Sequence, residues 1–209
     1  MKQIAEALLN IGAVTLSPEK PYTWSSGLKS PIYCDNRLTL SYPDVRDLII
    51  DGLVDKVRSL KPDVIAGTAT AGIPHATLLA DRLGLPLVYV RSSAKGHGKG
   101  NQIEGRLEPG ARVVVIEDLL STGGSSIAAA KAIQEAGGEV LAIQAIFTYS
   151  LSRLTTNLVE ADLSAAALVT LEELLNVALQ TGSIGPNEFE SLRNWQENPE
   201  GWSKEVSSK

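Results

Sequence analysis

Glu117 and Asp118 stand side by side after a run of branched apolar residues, Val113-Val114-Val115-Ile116, and directly before Leu119-Leu120-Ser121-Thr122-Gly123-Gly124-Ser125-Ser126. The apolar run reads as a buried strand, and a carboxylate pair at its end can accept hydrogen bonds from the hydroxyls of a ribose. The small residues that follow bring backbone N–H groups close to a ligand, and an Ala-rich helix sets its N-terminus behind them. Ser121 to Ser125 therefore suit a phosphate. A sugar phosphate would use both halves of this segment. The lysine of a Walker loop is missing, so nothing here grips a nucleotide β/γ-phosphate in that way. The plain alternative is an ordinary βα turn with an N-capping Ser or Thr, common in doubly wound proteins. Two adjacent carboxylates weigh against it, because buried charge needs a ligand or cation to meet it.

A second group of residues suits an anion. Arg91, Lys95, His97 and Lys99 are interleaved with Gly96, Gly98, Gly100 and Gly105. Glycine lets the backbone approach a ligand closely. A solvated charged loop is the usual reading of such a run. Its position after a parallel strand favours a ligand, since open α/β sheets bind ligands at their carboxyl edge. Thr68-Ala69-Thr70-Ala71-Gly72-Ile73-Pro74 is a loop of small residues between a strand and a helix, and by itself it reads as a βα turn. Residues 25 to 37, Ser-Ser-Gly-Leu-Lys-Ser-Pro-Ile-Tyr-Cys-Asp-Asn-Arg, read alone as a turn, a short strand and some charges.

The elements that must hold these groups follow from periodicity. Ile4, Leu8 and Ile11 mark one face of a helix over 2–11. Pro43 opens a helix over 43–60 that stops at Lys61-Pro62. Apolar runs at 63–67, 85–91, 112–118, 139–149 and 164–171 alternate with helical stretches at 73–83, 125–136 and 152–160. That alternation predicts an α/β fold of βαβ units with a mainly parallel sheet covered by helices on both faces. Two further helices are expected at 171–181 and 186–196, with fraying after Trp202. Residues 92–110 carry neither helix nor core pattern, and loops of that length inside compact domains are usually functional.

The 209 residues suit one domain spanning 1–209, and 44% hydrophobic composition suits a single large core. With 19 Lys+Arg against 24 Asp+Glu the net charge is −5, which argues against a nucleic-acid partner. One cysteine, Cys34, forms no internal disulfide, and two histidines leave no Cys/His metal motif. No signal pattern and no apolar run of membrane-spanning length is present, so no membrane partner and a cytoplasmic location are expected.

Segment 113–126 resembles the motif of type I phosphoribosyltransferases that binds 5-phosphoribosyl 1-diphosphate (PRPP). The pattern R-x-x-x-K-x-H-G-x-G at 91–100 resembles the flexible catalytic loop of the orotate phosphoribosyltransferases, and S-G-x-K-S-P-x-Y at 26–33 resembles their hood. The resemblance runs from the first helix to about residue 198. It implies the type I phosphoribosyltransferase fold: a central, mainly parallel five-stranded sheet flanked by helices. A hood over about 1–42, a core over about 43–171 and a helical tail over about 172–209 complete it. By the same resemblance, PRPP is bound by Arg91, Lys95 and His97 and by Glu117, Asp118, Leu119, Leu120, Ser121, Thr122, Gly123, Gly124 and Ser125. Lys95, His97 and Asp118 carry catalysis. Thr70, Ala71 and Gly72 form the pyrophosphate loop, with Ala71 where many relatives have lysine. Ser121 matches the family position that hydrogen-bonds orotate; Lys29 and Arg37 are candidates for its carboxylate by charge alone, and Tyr33 could stack on the ring or equally be a core aromatic.

The implied reaction moves the phosphoribosyl group to N1 of orotate. It requires Mg2+, held mainly through PRPP rather than by a direct protein motif. The implied assembly is a homodimer whose catalytic loop reaches the neighbouring subunit. Ser25 and Ser92 stand where relatives carry lysines. A family arginine near the end of the fourth core strand has no clear counterpart, although Arg153 is near. Two rivals are a phosphoribosyltransferase for another base and a non-catalytic PRPP-binding regulator. The latter would need a nucleic-acid-binding module that the sequence does not display.

Overall fold

A computed structural model of the chain describes residues 1–24, 26–92 and 102–208. In chain order the elements are α1 (Lys2–Asn10), β1 (Val14–Leu16), β2 (Tyr22–Thr23), β3 (Lys29–Ser30), β4 (Ile32–Cys34), α2 (Pro43–Val57), β5 (Val64–Thr68), α3 (Gly72–Leu83), β6 (Leu87–Val90), β7 (Ile103–Glu104), β8 (Arg112–Leu120), α4 (Gly124–Glu135), β9 (Glu139–Thr148), α5 (Ser152–Glu160), β10 (Ala165–Thr170), α6 (Leu171–Gln180), α7 (Pro186–Glu197) and α8 (Pro199–Ser207).

Period-two alternation in the buried strands builds two cores, one on each side of the main sheet. Val114 and Ile116 pack with Ile65, Ile146 and residues of α1, α2, α3 and α6. Val113 and Val115 pack with Val64, Ala66, Ile143 and Ala145 against Ala129, Ala130 and Ile133 of α4 and Leu154 of α5. The sheet order is β10-β9-β8-β5-β6-β7. Five strands are parallel, and the sixth, β7, runs antiparallel to β6 with Val90 opposite Ile103. The five-stranded expectation is thus extended by a two-residue edge strand inside the stretch that showed no core pattern. Two residues are too few to display a period, yet Ile103 is buried.

The position of β5 decides where a ligand can enter. From β5 the chain crosses through α3 to β6 on one side, then returns through β8 on the other. A crevice opens at such a switch, outside the carboxyl ends of the two strands. The 69–71 turn leaves β5 there, and the 121–123 turn leaves β8 there.

Above this edge sit two short antiparallel pairs, β1 with β4 and β2 with β3. They are joined to the body by an aromatic cluster in which Trp24 stacks on Tyr149 (centroids 5.7 Å apart) and both rings meet Trp195 edge-on. The tail does not fray after Trp202, because α8 continues to Ser207. Asn198 caps α8 by accepting from Gly201 N at 3.0 Å, Pro199 sits in its first turn, and Trp202 is buried with Nε1 donating to Ser191 Oγ at 3.2 Å. Gly and Ser within this segment hid a helix that a cap and one buried indole hold in place.

Candidate active site

Strand β8 carries the acids and runs two residues past the expected 112–118. It continues through them to Leu120, paired with β9 as far as Leu120 opposite Thr148. The carboxylates are therefore carried on a rigid ladder rather than on a loop. Glu117 is 5% exposed; its Oε2 accepts from Ser125 Oγ at 2.8 Å and its Oε1 from Asp118 N at 3.1 Å. It ties the strand to the first turn of α4. Asp118 is half-buried, and its carbonyl accepts from Asn36 Nδ2 at 2.7 Å, a bond from the hood to the strand.

The turn after β8 depends on glycine at one position. Gly123 has φ +80°, and a Cβ there would lie 2.7 Å from Leu154 Cδ1 and 3.2 Å from Ile127 Cδ1. Its left-handed conformation is open to glycine at no steric cost. Leu120 is buried and its carbonyl accepts from Tyr149 N and Thr148 Oγ1. Leu119 and Leu120 thus belong to the strand and offer a ligand no polar side chain. On the β5 side the Ala69–Thr70 peptide bond is cis, and Ala69 N donates to Val90 O at 2.9 Å, so the Thr70-Ala71-Gly72 turn is bonded to the exit of β6. Gly72 packs so closely that a Cβ would fall 2.5 Å from Ile116 O.

Burial, with the Asp118 side chain hydrogen-bonded alongside, pushes the Glu117 carboxyl up to about 8, and the Ser125 hydroxyl only partly offsets this. Glu117 therefore holds its proton at neutral pH. Burial also lowers the fully buried His75 of α3 to about 4, against a smaller opposing pull from Asp118. Neither of its ring nitrogens has a hydrogen-bond partner.

These two shifts have opposite signs for stability. Glu117 is protonated in the folded state and ionised in the unfolded one between its ordinary 4.5 and about 8, so stability falls as pH rises through that window. His75 is neutral when folded and charged when unfolded between about 4 and its ordinary 6.5, so its contribution rises there. The two effects oppose each other up to 6.5, and the Glu117 loss stands alone above it. We expect urea-unfolding stability to fall by on the order of 1–2 kcal/mol from pH 6.5 to 8 through Glu117. Glu117→Gln should remove that fall, and an unchanged slope in the variant would contradict the assignment.

The other expected site residues are distributed unevenly. Arg91 follows β6 at the crevice, its N bonded to Gln102 O at 2.9 Å and its guanidinium 3.6 Å from Glu104. Lys95 and His97 lie outside the described residues. Ser121 starts the β8 turn, half-buried. Tyr33 is 46% exposed, with its ring 5.5 Å from that of Tyr22. Lys29 turns elsewhere: its Nζ donates to Thr23 Oγ1 at 2.8 Å, its N donates to Ser203 Oγ, and it lines a cleft of about 750 Å³ with Trp202 and Glu190. Arg37 is engaged by Asp35, at 2.7 Å. Sequence reasoning missed Asn36, Cys34 and His75 as neighbours of Asp118. Burial and the nearby Asp118 and Asp35 charges hold the Cys34 thiol protonated, well above its ordinary value. Cys34 and Asn36 directly follow the hood motif at 26–33, whereas a single His on an apolar helix gives no signal.

A family model described as phosphoribosyl transferase domain matches residues 36–156. The chain is 56% identical over 201 residues to an orotate phosphoribosyltransferase of Bacillus caldolyticus, covering 95% of this chain and 97% of that protein. It is 54% identical over 205 residues to that of Listeria monocytogenes serotype 4b (strain F2365), with 97% and 98% covered. Among solved structures, the orotate phosphoribosyltransferase of Aeropyrum pernix superposes with a TM-score of 0.75 at 29% identity, covering 87% of this chain and 99% of that one.

Proposed function

The chain belongs to the orotate phosphoribosyltransferases of the phosphoribosyltransferase family, and from that premise we propose how its residues divide the reaction. The reaction transfers the 5-phosphoribosyl group of PRPP to N1 of orotate, giving orotidine 5′-monophosphate and pyrophosphate in pyrimidine biosynthesis. One observation carries the assignment: two turns of small residues, at 69–71 and 121–123, open on the same crevice with the acid pair beside them. Backbone N–H groups of Ser121 to Ser125 hold the 5′-phosphate. Asp118, with Glu117, accepts from the ribose hydroxyls. Thr70, Ala71 and Gly72 present backbone to the diphosphate, in place of a lysine at Ala71.

The chemistry needs no covalent enzyme intermediate. Pyrophosphate leaves C1 through an oxocarbenium-like state, and N1 of orotate attacks the opposite face. Arg91, Lys95 and His97 neutralise charge that builds on the leaving group, and closure over the site keeps water from the sugar cation. Asp118 lies near the developing positive charge. Ser121 and Tyr33 flank the base. Lys29 would have to leave Thr23 to reach it.

Mg2+ fits these residues as an ion carried by substrate. It keeps several waters and binds through one or two carboxylates plus phosphates rather than a protein cage. Among the described residues no group of three or more His, Cys, Asp or Glu is arranged to hold an ion, and Asp118 is the half-exposed carboxylate beside the diphosphate position. When bound, the ion would supply charge neutralisation at the diphosphate. A homodimer sharing the 91–100 segment follows from the family resemblance. A cytoplasmic location fits a single free thiol and described helices too short or polar to cross a membrane.

The test is turnover with PRPP and orotate, uracil, adenine or hypoxanthine, with Mg2+ or a chelator. Orotate alone should react, and only with the ion present. Turnover with a purine alone, or full activity in chelator, would contradict the reading.

A further inference from the structure

We propose that Asn157, on α5, is a positioning residue that aims the phosphate-binding turn at PRPP. Its Nδ2 donates to Thr122 O at 2.8 Å, from a helix 35 residues away in sequence. The neighbouring carbonyls show what that bond adds. Leu120 O is taken by Tyr149 N and Thr148 Oγ1 at the strand end, and Gly123 O by Ile127 N at 2.9 Å and Ser126 Oγ at 3.1 Å within the first turn of α4. Thr122 O lies between these anchors and is held by α5.

A peptide unit is planar and trans, so its C=O and the following N–H point in opposite directions. Fixing Thr122 O toward α5 therefore fixes Gly123 N–H toward the other side. Released, that peptide can rotate and present its carbonyl, a partial negative charge, to the phosphate.

The same helix touches the turn a second time. Leu154, one helical turn before Asn157, is the atom group that a Cβ on Gly123 would strike. Residues three apart share a helix face, so α5 braces the turn with an apolar contact at Gly123 and a hydrogen bond at Thr122.

This inference rests on the reading of 121–125 as the 5′-phosphate site. The experiment compares Asn157→Ala and Asn157→Asp with wild type for KM of PRPP, KM of orotate, competition by ribose 5-phosphate and by pyrophosphate, and melting temperature. Aspartate keeps the shape but has no N–H to donate. Both variants should raise KM for PRPP and weaken ribose 5-phosphate about tenfold, as for one lost hydrogen bond. Orotate KM, pyrophosphate inhibition and melting temperature should stay unchanged. Wild-type behaviour in both variants, or in the aspartate alone, overturns the proposal. So does a loss spread over all ligands with a lowered melting temperature. Thr122→Asp is the control arm. If it weakens ribose 5-phosphate while the Asn157 variants do not, only Asn157 loses its role; if none does, the phosphate-site reading itself fails.

Discussion

Lys95→Ala is expected to lower turnover by roughly two to three orders of magnitude while leaving the fold intact. That is the size of effect seen when one preorganised donor to developing charge is removed, about 3–4 kcal/mol of barrier. Departure of a diphosphate concentrates several negative charges at one place, and a cation that meets them there would act mainly on the transition state.

The described anchors of this segment show why stability should be unaffected. Val90 and Ile103 are buried, and Arg91 N bonds to Gln102 O, so the chain leaves and rejoins the sheet at one point. That point is bonded to the Thr70-Ala71-Gly72 turn through Ala69 N and Val90 O. Pre-steady-state turnover and thermal melting, measured on the same preparation, check both halves. A near-wild-type rate would remove the segment from the mechanism.

Gly72→Ala should do the opposite and damage the scaffold by about 3 kcal/mol. Its added Cβ would meet Ile116 O at 2.5 Å and Glu117 Cα at 3.4 Å. Both are backbone atoms of a strand paired on two sides, with β5 and β9, so they have little room to yield. Relief requires α3 and its preceding turn to move off β8, and that widens the crevice between the two phosphate-binding turns. Activity should fall together with stability. Gly124→Ala is the control, because a Cβ there meets nothing within 4 Å. Urea unfolding should separate the two variants clearly, and equal stabilities would contradict the close packing described for Gly72.

Much of this was legible in the residues. The unbroken run of branched apolar residues from Val113 to Ile116 gave the strand, and the glycine-serine stretch after it gave the turn. The order of strands and helices gave the parallel sheet that sets both turns at one edge. Single polar residues acting over long distances were not legible. Asn36 reaches Asp118 O from 82 positions away and Asn157 reaches Thr122 O from another helix, and neither has a periodic signature. β8 runs past the expected 112–118 by Leu119 and Leu120, because its pairing with β9 continues to Leu120 opposite Thr148. Lys29 carries the right charge for an acidic base, yet local bonding in the hairpin turns it toward Thr23. Charge can be read from sequence, but direction cannot.

The most direct measurement is a crystal structure of the protein with PRPP and Mg2+ bound. The account predicts the 5′-phosphate against the backbone of Ser121 to Ser125, the ribose hydroxyls at the Glu117–Asp118 pair, and the diphosphate over Thr70 to Gly72. PRPP bound instead in the cleft between Lys29 and Trp202, or anywhere away from the ends of β5 and β8, would contradict it.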